Sequence, residues 1–144
     1  MGNRLRSADR LVALALALNC GAAIAVVKAG KTAQGLAYAS GGVSHSELVE
    51  LHGTRNNYSL WVTTAAMKSG AHLADVRVVV RDLAKRAVVF DDLLEGPWLF
   101  VNLPLGRYEV EASFRGESHK RQTTIHAGDR HQMLIYFDTR DEVA

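Results

Sequence analysis

One cysteine, Cys20, stands in 144 residues. No intramolecular disulfide can form, and a thiolate-rich zinc site is excluded. The chain has no Gly-rich phosphate loop and no His-Glu-x-x-His helix, so neither a nucleotide cradle nor a zinc-hydrolase helix is written in it. Nor is there a Gly-x-Ser-x-Gly nucleophile elbow, although Ser, His and Asp are plentiful. Charge of one sign is also scarce. The formal net charge is +2, and much of the basic excess sits at the N-terminus, where Arg4, Arg6, Arg10, Lys28 and Lys31 face one acid, Asp9. Beyond residue 39 there remain 12 basic and 14 acidic residues, a balance of −2. A nucleic-acid surface needs a positive face, so no nucleic-acid partner is expected.

The first forty residues read as an address. The basic segment "MGNRLRSADR" precedes the apolar segment "LVALALALNCGAAIAVV", the order of a secretory signal peptide. Small residues follow at Ala37 and Ala39, which places the expected cleavage before Ser40; a rival site follows Ala25, within Ala23-Ile24-Ala25. An uncleaved membrane anchor is the alternative, but residues 11–27 are short for a bilayer and contain Asn19, Cys20 and Gly21. Asn19 before Cys20 fits a lipoprotein signal poorly. Export to the periplasm or medium also argues against nucleotide cofactors, and no cofactor is expected. The expected organisation is a signal peptide over 1–39, a short helix and linker over 40–56, one domain over 57–138 and a tail over 139–144.

In the remainder, Ser44 and Glu47 have capping-box spacing, and Leu48 and Leu51 share a helical face, so a helix is predicted near 45–52. After that the period becomes two. Tyr58, Leu60 and Val62 alternate with Ser59, Trp61 and Thr63; Val76, Val78 and Val80 alternate with Arg77 and Arg81. Further strands are read at Val88–Phe90, "WLFVN", "RYEVEASF", "HKRQTTIH" and "HQMLIYF". About seven strands at short spacing predict an all-β, antiparallel seven-stranded β-sandwich with a short N-terminal helix. Between two of them, Pro104 removes a ladder N–H, Gly106 ends the turn and Tyr108 is expected to carry its ring into the core.

The stretch "FVNLPLGRYEVEASFRG" followed by "TTIHAGDRHQMLIYF" resembles the carboxypeptidase regulatory-like domain. "NYSLWV", "LADVRVVVRD" and "EGPWLF" are likewise similar to small exported bacterial proteins given that domain name. The resemblance covers residues 57–138 and implies a transthyretin-like, or prealbumin-like, β-sandwich. It implies no peptidase activity, because function does not follow from fold. Hydroxyisourate hydrolases share this sandwich and end in Tyr-Arg-Gly-Ser, whereas this chain ends "DTRDEVA".

Chemistry-bearing residues are few. His126 and His131 flank a turn and would be the pair to test for metal, but two ligands fall short of a site, and no metal is expected. His119, Lys120 and Arg121 read as a solvated strand face. Asp91 and Asp92 point to opposite faces of a strand, which disfavours a paired acid. An internal isopeptide bond would need Lys68 with Asp138, and Lys68 lies in a loop. Trp61 alternates onto the outer face, where an aromatic can serve as a sugar platform or interface anchor, or else pack beneath the helix. Tyr136 is the second candidate binding residue. The expected function is a non-catalytic exported binding or structural accessory module of the bacterial envelope, with a carbohydrate- or small-ligand-binding domain as the alternative. The expected partner is an envelope protein or glycan, and an edge strand near 119–126 would allow a homodimer.

Overall fold

In Val76–Asp82 (β4) the three alternating valines, Val76, Val78 and Val80, are fully buried, while Arg77 is exposed and Arg81 half-buried. That period-two burial is the signature of a strand with one face on a core. The same pattern recurs in Gly106–Phe114 (β7), where Tyr108, Val110 and Ala112 turn inward. With Ala87–Leu94 (β5) and Glu117–Ile125 (β8) these form a four-stranded antiparallel sheet in the order β5-β4-β7-β8.

The computed structural model describes residues 27–139. A second sheet holds five strands: Lys28–Lys31 (β1), Ala37–Gly41 (β2), Trp98–Val101 (β6), Leu60–Ala66 (β3) and His131–Phe137 (β9), in the order β1-β2-β6-β3-β9. The described chain is thus mostly β, in two sheets, with one α-helix, His45–Gly53 (α1), and a short 3₁₀ turn at Arg55–Asn57. Ser44 caps α1 as the sequence spacing requires: its hydroxyl accepts from the Glu47 N–H at 3.2 Å and donates to the Glu47 carboxylate at 3.2 Å.

The sheets share one core. Leu60, Val62, Leu99, Val101, Ile135 and Phe137 of the five-stranded sheet meet Val76, Val78, Val80, Tyr108, Val110 and Ile125 of the other. A second, smaller cluster lies on the outer face of the five-stranded sheet beneath α1. It joins Ala39, Leu51, Trp98 and Phe100, with Leu48, Tyr58 and Trp61 at its margin. This second layer explains why β3 is buried along nearly its whole length: one face meets the opposite sheet and the other meets α1 and its surroundings.

Three features depart from the sequence expectation. Seven strands do fall between residues 60 and 137, but two more precede them, giving nine among the described residues. β1 and the first three residues of β2 lie in the segment expected to be removed as a leader, and Ala39 and Ser40, on either side of that cut, are buried. The pairing is also not wholly antiparallel. β9 runs parallel to β3, from Leu60 opposite His131 to Ala66 opposite Phe137. The turn after β8 sends the chain into the other sheet, and the His131 N–H meets the Ser59 carbonyl at 2.8 Å, which sets β9 alongside β3 in the same direction. The basic leader, Cys20 and the final residues 140–144 lie outside the described residues, as do Ala23 and Ala25.

Candidate functional site

At one end of the two sheets four segments converge. The β1–β2 turn is closed by Thr32, whose hydroxyl accepts from the Leu36 N–H at 3.1 Å and whose carbonyl accepts from Gly35 at 2.8 Å. The Asn102 N–H donates to the Ala37 carbonyl at 2.9 Å, tying this hairpin to the segment after β6. The turn between β8 and β9 is shaped by Asp129, whose carboxylate accepts from the His126 N–H at 2.8 Å and lies 3.2 Å from the His131 ring. These two contacts, the backbone N–H foremost, hold the Asp129 carboxyl below its usual range. Arg130 then reaches the 3₁₀ turn, donating through Nε and Nη2 to the Asn56 carbonyl at 3.3 and 3.2 Å.

Between these segments lies an open cleft of about 640 Å³. Lys31, Asn57, Tyr58, Asn102, Leu105 and Arg130 line it, with Asp129 as its acid. Among the described residues the side-chain amides of Asn57 and Asn102 have no hydrogen-bond partner within the chain, and neither Lys31 nor Arg130 meets a carboxylate. Asp129 is already engaged on both sides. The cleft therefore presents two amides that can donate and accept, and two cations without counter-ions. Its floor is rigid. The buried Ser59 hydroxyl accepts from the Leu103 N–H at 2.8 Å and donates to the Leu103 carbonyl at 3.0 Å, locking the start of β3 to the corner.

That corner is the Pro104 turn. Tyr108 is only 1% exposed, and its phenol donates to the Pro104 carbonyl at 2.8 Å. Gly106 has φ +150°, a conformation that favours glycine.

Trp61 and Tyr136 share the outer face of the five-stranded sheet but do not meet. Trp61 stands opposite Gln132 and Tyr136 opposite Ala65, four positions or about 13 Å apart along the strands. Trp61 is half-buried: its indole N–H donates to the Arg55 carbonyl at 2.9 Å, the Arg55 guanidinium lies over its ring, and it packs on Phe100. Tyr136 is 40% exposed.

The other candidates go to separate partners. Asp91 makes a two-pronged ion pair with Arg77, while Asp92 pairs with Lys28 of β1. His119 contacts Glu117 and stands edge-on to Phe137. His52 packs edge-on to Trp98 at 4.7 Å; burial first, then the Arg55 charge, pushes its pKa down. Among the described residues no three His, Cys, Asp or Glu side chains gather as a metal site, and no helix is long and apolar enough to cross a membrane. β8 is an edge strand of its sheet.

Sequence reasoning did not single out Lys31, Asn57, Asn102 or Arg130 as site residues. The only signal was turn chemistry, with Gly35 in one loop, Asn56 and Asn57 in the next, Asn102 with Pro104 and Gly106 in the third, and Gly128 with Asp129 in the last, and nothing local says that the loops meet. No protein-family model matches the chain, and no curated protein matches it.

Proposed function

We propose that this chain is an exported, non-catalytic binding module of the bacterial envelope, a β-sandwich of the carboxypeptidase regulatory-like type, that takes carboxylate-bearing saccharides at its loop-end cleft. The unpartnered amides of Asn57 and Asn102 beside the uncompensated Lys31 and Arg130 carry this proposal. Side-chain amides pair with vicinal hydroxyls by donating and accepting at once, and the guanidinium and ammonium groups match a carboxylate. Tyr58 and Leu105 add an apolar wall for a sugar ring. The acidic and imidazole groups that hydrolysis would call on are spread over separate ion pairs and ring contacts. Trp61 is a weaker platform than its position in sequence implied, because its indole N–H and one ring face are already used within the chain.

Saturation-transfer NMR with a uronate trisaccharide and a neutral trisaccharide tests this. The uronate should give a saturable signal that falls at least tenfold in affinity in Arg130→Gln and several-fold in Asn102→Ala, and it should leave solution chemically unchanged. Binding untouched by either substitution, or turnover of the sugar, would refute it.

A further inference from the structure

The hairpin β1–β2 is not built like a discarded leader. β2 is the neighbour of β6, with Tyr38 opposite Val101, Ala39 opposite Phe100 and Ser40 opposite Leu99. Ala39 is 2% exposed and belongs to the cluster beneath α1. Around it, Lys28 pairs with Asp92, and the Gln34 side chain donates to the Val88 carbonyl at 2.7 Å, so the hairpin also covers the flank of β5. Tyr38 stands edge-on to Phe90 at 5.3 Å. Lys31, Leu36 and Ala37 form one wall of the cleft. A cut before Ser40 would remove β1 and most of β2, strip one side of β6 of its ladder and open the second cluster to water.

We infer that the exported chain is cut between Ala25 and Val26, and that the β1–β2 hairpin belongs to the working protein. The inference rests on the export proposed above. In sequence, Ala23 and Ala25 supply the small residues a signal peptidase requires. Lys28 and Lys31, which are out of place in a leader's cleavage region, become residues of the mature chain. The cut is a hydrolysis by a membrane-bound signal peptidase. Water adds across the Ala25–Val26 amide, giving a carboxylate on Ala25 and an amine on Val26.

The test is the intact mass of the full-length gene product after fractionation of a Gram-negative host, with Ala25→Phe in parallel. Ala25 precedes the described residues, so the variant leaves the sequence of the described strands intact. A periplasmic species starting at Val26 is expected, fourteen residues longer than one starting at Ser40. Ala25→Phe should convert it to an uncut, membrane-associated form. A species starting at Ser40 overturns the inference while leaving export standing. A wild-type chain retained whole in the membrane fraction also overturns it, in favour of an anchor. A whole chain in the cytosol overturns export and the inference together.

Discussion

Removing one oxygen from Tyr108 isolates what holds the corner between β6 and β7. The phenol donates to the Pro104 carbonyl at 2.8 Å while the ring is buried among the valines of the two sheets. Tyr108→Phe keeps the ring and deletes only that bond. A neutral hydrogen bond contributes a net ~0.5–1.5 kcal/mol. Pro104 is exposed, so water can replace the lost donor at its carbonyl, which sets the expected loss near the middle, about 1 kcal/mol. For a domain of this size that lowers Tm by about 4 °C. Tyr108→Ala should cost far more, about 3–5 kcal/mol, because it also leaves a cavity. Urea unfolding followed by tryptophan fluorescence measures both, with the slope m unchanged for the phenylalanine variant. The burial of the phenol also predicts a pH effect. Burial foremost, then the Asp82 charge, raises the phenol above its usual value near 10. The folded state therefore holds this proton more tightly than the unfolded one. The resulting stability is complete below about pH 10 and is lost as pH rises toward the folded value. That alkaline loss should shrink in Tyr108→Phe. A phenylalanine variant as stable as wild type, or one as damaged as Tyr108→Ala, would refute the assignment.

Ser59→Ala leaves the buried N–H and carbonyl of Leu103 unpaired and should cost about 1–3 kcal/mol, measured by the same urea titration, although it removes one small atom. Gly96→Ala would place a Cβ 2.3 Å from the Gly41 carbonyl oxygen, backbone against backbone, and should cost about 3 kcal/mol; Gly53→Ala, in α1 and meeting nothing within 4 Å, is the control and should leave stability unchanged or raise it by up to ~1 kcal/mol. His52 has its pKa lowered in the folded state, so its contribution is present above about pH 6.5 and is lost as pH falls below that through the folded value. The urea midpoint should therefore fall between pH 7.5 and 5.5 by less in His52→Gln than in wild type, and an equal fall would exclude His52 as the cause.

Local pattern carried much of the β architecture. The valines of β4 and the Tyr108-Val110-Ala112 run of β7 alternate because a strand with one buried face must, and Ser44 with Glu47 writes a helix start within four residues. Proline, glycine and tyrosine marked the corner for the same reason, since a turn's chemistry lies in the residues that make it. Pattern is ambiguous where one composition serves two ends. The small residues Ala37 and Ala39 suit a leader's cleavage region, and they equally suit a hairpin whose Ala39 fits beneath α1. The identity of a strand's neighbour was not legible either. Nothing in "HQMLIYF" says that it lies parallel to β3, because that follows from a chain crossing between sheets. Trp61 alternates outward, yet the chain folds back at the 3₁₀ turn so that the Arg55 carbonyl claims its N–H. The cleft is the furthest from the sequence. Lys31, Asn57, Asn102 and Arg130 are separated by up to 99 positions, and each alone is an ordinary residue of a turn or a strand end. Alternation and turn chemistry act over a few residues, so one sequence could determine strands, corner and helix cap. Which edges pair and which loops meet depends on how two sheets close over a common core, and only the tertiary structure decided that.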